Sequence, residues 1–340
     1  MKTFLTAVFT SLLLALPAAV QAQFNFTTNN GAVTITRYTG SDGAVVIPDS
    51  TNGYSVTSIG FGAFAQTTNL TSVIIPDSVT NIGNSAFSEC SNLTSVVIGH
   101  SVTSIGDYAF NECNSLTNVT LPDSMTSIGN FAFYECFNLV SANLPNSINS
   151  LGYSAFYDCH SLTHVDIPSN ITSIEFNAFS GCTNLTSVVI SGSVINLRSQ
   201  AFSYCSALTS VLFQGNTPII GNDGYDVFYG VNATAVVYYL YGTTGWGSTY
   251  GKIVFPGTGV LPTVLLNPPI NAGNISVETN GFTFLIPGSS NQVVVIEAST
   301  NFVNWLPLQT NAPTAMPVNF TDSQWMNYPQ RFYRVRYYVP

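Results

Sequence analysis

Between residues 45 and 215 the apolar positions recur with a fixed translation of 23 residues. Phenylalanine preceded by alanine stands at 64, 87, 110, 133, 156, 179 and 202, and leucine at 70, 93, 116, 139, 162, 185 and 208. The six cysteines, Cys90, Cys113, Cys136, Cys159, Cys182 and Cys205, keep the same interval. A constant period of this size is the mark of a solenoid and fixes the fold before any local reading. Inside one unit, Ile75 to Val96 reads IPDSVTNIGNSAFSECSNLTSV. Around its end Leu93, Val96 and Ile98 are apolar while Ser95 and Val97 alternate with them, which predicts a short strand with one buried face. Pro or Gly then turns the chain (Pro76, Gly99, Pro122, Pro145, Pro168). A second extended piece ends in Ile-Gly, and one helical or 3-10 turn bearing Ala-Phe and Cys is expected to close the unit. No such unit buries its own apolar face, so the units must stack.

The unit resembles the leucine-rich repeats of the BspA-like, bacterial surface-antigen family, through the pattern L-x-x-[VI]-x-[IL]-P-x-S-V-T-x-I-G-x-x-A-F-x-x-C. The resemblance implies a mainly β leucine-rich-repeat solenoid, and an association with binding host or matrix proteins and with cell–cell contact. The pattern is broken late, where Glu175 and Arg198 replace the glycine and Ser191 the turn proline, so the last two turns are expected to be less regular. The first unit carries five extra residues, Thr51 to Ser55, and Thr67 in the cysteine column. The expected organisation is a signal peptide (1–22), an N-terminal hairpin cap (23–44), the solenoid (45–215), a C-terminal cap (216–255), a proline-rich linker (256–270) and a small β-sandwich (271–340). The last rests on short alternating runs such as Phe282/Phe284/Ile286 and Val293 to Ile296. Its segments EASTNFVNW and NYPQRFYRVR resemble a fibronectin type III-like module of secreted bacterial proteins.

Composition narrows the function. Only 7% of residues are charged, against roughly 25% in an ordinary domain. Ser, Thr and Asn (37, 37 and 33 residues) take their place, because a charge repeated every 23 residues would face its own copies. Residues 45–215 hold ten acidic groups and one basic, Arg198. Nucleic acid is excluded as a partner, since phosphate binding needs clustered Lys and Arg. Lys2, the apolar stretch Phe4 to Val20 and Val20-Gln21-Ala22 predict an export signal with no membrane insertion after cleavage, and hence a secreted or cell-surface protein.

Candidate sites follow from the columns. The cysteines are expected as buried free thiols. The residues before four of them, Glu89, Glu112, Glu135 and Asp158, form an acidic column that is either a solvated edge or a cation ladder, with Ca²⁺ the cation that fits several carboxylates. Otherwise no metal site and no cofactor is expected, since close Cys pairs are absent. Outward strand positions give a candidate ligand face of Asn118, Thr120, Asn143, His164 and Asp166. Aromatic residues cluster near the middle turns, at Tyr108, Phe131, Tyr134, Phe137, Tyr153 and Tyr157. Three histidines and no G-x-S-x-G, H-E-x-x-H or phosphate loop give no catalytic constellation. The expectation is a non-enzymatic adhesion or recognition protein with an extracellular protein or glycan as partner. For the glycan alternative Trp246, Trp305 and Trp325 are the rings to consider.

Overall fold

The computed structural model describes residues 23–220, 226–240 and 243–246, and beyond them the segments 249–250, 261–266, 275–278, 281–286, 293–299, 306–311, 318–324, 327 and 332–338. The predicted signal peptide lies outside the described residues. The repeat builds coils, numbered here by their first strands: Ala44–Val46 (coil 1), Ser72–Ile74 (2), Ser95–Val97 (3), Asn118–Thr120 (4), Ser141–Ala142 (5), His164–Ile167 (6), Ser187–Ile190 (7) and Ser210–Phe213 (8). Each coil has a second, two-residue strand such as Ser104–Ile105, except in coil 1, where it is Tyr54–Ile59. Both strands pair parallel with their copies one period away, as in Asn118↔Ser95 and Ser127↔Ser104. The register follows from the alternation, because a one-residue slip would turn Val96 and Val119 out of the core. The five extra residues of coil 1 form a hairpin, in which Ser50–Thr51 pairs with Tyr54–Ser55.

The expected helical or 3-10 turn takes the form of separate tight turns, in which Ala86, Ser88 and Cys90 donate their amides to the carbonyls of Gly83, Ser85 and Phe87. Residues 83–92 and their copies form a third bonded face, in which Ser85, Phe87 and Glu89 donate their amides to the carbonyls of Asp107, Ala109 and Asn111 in the next coil. Two residues per coil are left-handed, for example Ser85 and Glu89 at φ 54° and 59°, and Tyr108 and Glu112 at 58° and 55°. A right-handed helix tolerates neither those torsions nor amides committed to a neighbouring coil. Among the described residues there is no α-helix.

The core is a set of single-residue ladders. Phe87, Phe110, Phe133, Phe156, Phe179 and Phe202 are fully buried, and their rings stack at 5.1–5.4 Å. All six cysteines are buried and free. Each Sγ donates to the carbonyl of the phenylalanine 26 residues upstream, as Cys136 does to Phe110 at 3.2 Å. Burial pushes the thiols up, Cys90 to about 12. The glycine of the Ile-Gly pair sets how closely coils approach. A Cβ on Gly129 would stand 2.6 Å from the backbone of Gly106 and Asp107, and one on Gly152 would stand 2.5 Å from Gly129 and Asn130.

The expectation of irregular last turns is corrected. Coils 6, 7 and 8 pair regularly in both ladders, and the stack instead parts between coils 5 and 6. The bonds that Val140, Asn149 and Gly152 make to Thr117, Thr126 and Ile128 have no counterpart from Thr163, Thr172 and Glu175. Glu175 and Arg198 both replace the glycine, yet Arg198 still donates its amide to the Ile174 carbonyl at 2.9 Å, so the missing glycine does not by itself part the ladders. Ala142, where coils 2–4 carry valine, removes inward packing at the same level. The corners stay joined: Ser154 donates to the Phe176 carbonyl and Asn170 Nδ2 to the Asn146 carbonyl.

At the N-terminal end an antiparallel hairpin, Phe24–Asn29 with Ala32–Tyr38, caps the second-strand ladder, and Phe24 and Tyr38 pack on Phe64. Past coil 8, Val236–Leu240 continues the first-strand ladder in parallel. Leu261–Leu266, inside the stretch read as linker, pairs parallel with that strand and so corrects the linker of 256–270. Its Thr-Val-Leu-Leu run suffices for a strand, and Pro262 is tolerated near the sheet margin, where only Thr249 and Tyr250 pair beyond it. The C-terminal segments form two three-stranded antiparallel sheets, one of 275–278, 281–286 and 318–322 and one of 306–311, 293–299 and 332–338. Their strands coincide with the predicted alternating runs.

Candidate functional site

The first strands present the predicted outward face. Asn118, Thr120, Asn143, His164 and Asp166 are all exposed. They do not form one continuous column, because the coil 5–6 seam separates Asn143 from Asp166 and Asn143 lies past the end of its strand. Asn118 is tied to its neighbour, its Oδ1 accepting from Ser141 Oγ at 3.3 Å. His164 and Asp166 do meet, Nε2 to Oδ1 at 2.9 Å, and His164 Nδ1 lies 2.7 Å from Ser187 Oγ. Ser187 follows His164 by one period in the same outward column and was not among the candidate ligand residues. The three residues have the order of an acid–base–hydroxyl relay, but they sit on an open sheet whose strand amides serve the ladder.

The acidic column is a structural position. Glu89, Glu112, Glu135 and Asp158 all occupy the second left-handed site of their coils, at φ 55–59°. The same column holds Gly181, and a Cβ there would overlap the Asp158 carboxylate, so that side chain lies over the next coil's glycine. The carboxylates have individual partners. Gln66 Nε2 donates to Glu89 at 3.1 Å, Asn111 Nδ2 to Glu112 at 3.3 Å, and Asp158 stands 3.8 Å from His160. Partial burial raises the Asp158 carboxyl, against the lowering effect of His160. Among the described residues no three Asp, Glu, His or Cys side chains converge to hold a metal ion.

Beside this column the return segments carry rings in contact from coil to coil. Tyr108 stacks on Phe131 at 4.7 Å, Phe131 meets Tyr134 at 5.8 Å, Tyr134 stacks on Tyr157 at 4.9 Å, and Phe137 stacks on His160 at 4.9 Å. Desolvation, with a bond to Glu135, pushes the Tyr134 hydroxyl up to about 12. The result is a strip of aromatic and acidic side chains along one edge of the stack. Trp246, a candidate sugar ring from sequence, instead packs on Phe213 and Tyr239 at 5.0 and 5.2 Å and donates Nε1 to the Gly215 carbonyl. Trp305 and Trp325 lie outside the described residues.

Comparison with known proteins agrees with this architecture. The profile of the BspA type leucine rich repeat region matches six copies, over residues 45–146 and 103–234. A leucine-rich repeat protein of T. pallidum is 31% identical, with a TM-score of 0.53, over 57% of this chain and 90% of its own. One from Bacteroides ovatus is 27% identical, with a TM-score of 0.49, over 64% and 69%. Another, from Bacteroides capillosus, is 34% identical over 35% and 91%, with a TM-score of 0.33. No curated protein matches the chain. With its period, its glycine and cysteine columns and a profile match spanning more than half its length, the chain belongs to the BspA type leucine-rich repeat family.

Proposed function

We propose that this protein is an exported, non-catalytic recognition protein that binds protein partners through the return-segment edge of coils 3 to 5. The observation that carries the reading is the strip just described, where Tyr108, Phe131, Tyr134 and Tyr157 stand beside Glu112, Glu135 and Asp158. Tyrosine-rich patches supply large contact area at low entropic cost and dominate binding energies at protein interfaces. Residues 45–215 hold Arg198 as their one Lys or Arg, so the edge complements a basic partner surface. Extended repeat surfaces serve such contacts in other solenoids. Export and surface display rest on Met1 to Ala22 and on the family; the C-terminal sheets serve as a second module of fibronectin type III-like kind.

The test is solid-phase binding of the full chain to a panel of immobilised extracellular-matrix proteins, at low and high salt. Saturable binding to at least one of them is expected. Replacing Tyr108 and Tyr134 together by alanine should weaken it roughly 30-fold, the effect of a hot-spot loss. Glu112→Gln with Glu135→Gln should reduce the salt dependence, while Asn118→Ala with Thr120→Ala on the strand face should change nothing. Binding to no panel member, or loss confined to the strand-face variant, refutes the proposal.

A further inference from the structure

The seam between coils 5 and 6 opens a cleft of about 300 Å³ on the second-strand face. That volume is at the small end of ligand clefts. Its lining combines Asn130, Asn149, Tyr153, Thr172, Ser173 and Glu175. Lys, Arg and His are absent from the lining, which holds one carboxylate. We propose that this cleft binds a neutral saccharide, with Tyr153 as the stacking ring and Glu175, Asn130 and Ser173 as hydrogen-bonding groups. The site is separate from the aromatic–acidic edge and does not depend on it.

Four features of the cleft point to that chemistry. Tyr153 is 51% exposed, so a ring face is open to the C–H face of a sugar. Asn130 Oδ1 accepts the Tyr153 amide at 2.9 Å, which fixes the ring's backbone and leaves the Asn130 NH₂ as a donor. Ser173 Oγ is buried without a partner, and a buried hydroxyl left unpaired is costly enough to call for an explanation. The parted ladder also leaves the amides of Thr172 and Glu175 without the coil 5 acceptors their counterparts have. Donors and acceptors thus both line the cleft beside one ring, which suits a polyhydroxylated ligand. An anionic sugar would meet the Glu175 carboxylate with no cation to offset it.

Glu175 lines the cleft and offers its carboxylate as an acceptor to sugar hydroxyls. The experiment is saturation-transfer NMR with isothermal titration on the full chain, using glucose, galactose and N-acetylglucosamine as probes and glucuronic acid as the charged control. At least one neutral sugar should bind saturably, and glucuronic acid should not. Tyr153→Ala and Glu175→Ala should each weaken binding roughly tenfold, about 1.4 kcal/mol. The Tyr108→Ala, Tyr134→Ala pair should leave sugar binding unchanged, which separates this site from the protein-binding edge. Absence of binding by all three neutral sugars, preference for glucuronic acid, or binding that survives both cleft substitutions overturns the proposal.

Discussion

Phe133→Ala removes a ring from the centre of the inner ladder, and the structure sets the size of the effect. Phe133 is fully buried and stacks on Phe110 at 5.3 Å and Phe156 at 5.1 Å, nearly coplanar with both. Phenylalanine-to-alanine changes in cores cost about 3–5 kcal/mol, the upper end where the surroundings cannot collapse. Collapse is restricted here, because each coil is held on both sides by hydrogen-bonded neighbours and the Gly129 backbone is already in contact with coil 3. Two lost ring pairs act in the same direction. A loss of about 4–5 kcal/mol is expected, a third or more of the stability of an ordinary domain. Urea unfolding followed by far-ultraviolet circular dichroism measures it, with Tyr153→Ala as the exposed control, expected within about 0.5 kcal/mol of the parent. A loss below about 1 kcal/mol for Phe133→Ala would show that the ring ladder does not hold the coils together.

Three further outcomes follow from individual positions. Gly129→Ala drives a Cβ to 2.6 Å from coil 3 backbone and should cost roughly 2–3 kcal/mol in the same titration. The six thiols should be inert to a disulfide reagent in the native protein and all react in denaturant, and the unreduced intact mass should carry all six hydrogens. Asp226 is buried, with one oxygen accepting the Phe228 amide and the other unpaired, and burial raises its carboxyl to about 6. Folding therefore opposes its ionised form: this group favours the fold below about pH 4 and loses that contribution as pH rises through 6. Asp226→Asn should be more stable than the parent at pH 7.5 by on the order of 1–2 kcal/mol after allowance for solvent screening, and equal at pH 4, by thermal melts at both pH values.

What the sequence reveals and what it hides have one physical origin. An inward side chain in a stack must fit the same neighbours in every coil, so Phe, Cys, Leu and the strand valines repeat and can be read directly. The left-handed sites obey a backbone rule that the side chains barely mark: Ser85, Tyr108, Phe131 and Ser154 share one such site without a common turn-forming residue. Gly62 and Asn177 in one column and Asp158 and Gly181 in the other are the few hints. A helix was therefore the natural expectation for the return segments. Contacts between coils, such as Ser187 with His164, are visible only once the 23-residue offset is applied to outward residues as well. The missing glycine at 175 was plain in the sequence. The parting before coil 6 was not, because Arg198 fills the same column and coils 6 and 7 still pair there. Prolines misled at 256–270, where Leu261–Leu266 joins the ladder between them.

The central structural claim is a hydrogen-bonded stack interrupted once, and amide hydrogen exchange resolved to single residues tests it most directly. Ladder donors on either side of the seam, Thr126, Asn149, Thr186 and Ile195, should be strongly protected. Their counterparts in coil 6, Thr163, Thr172 and Glu175, should exchange far faster. Equal protection of Thr163, Thr172 and Glu175 with those donors in the unsubstituted protein would contradict the account and remove the cleft with it.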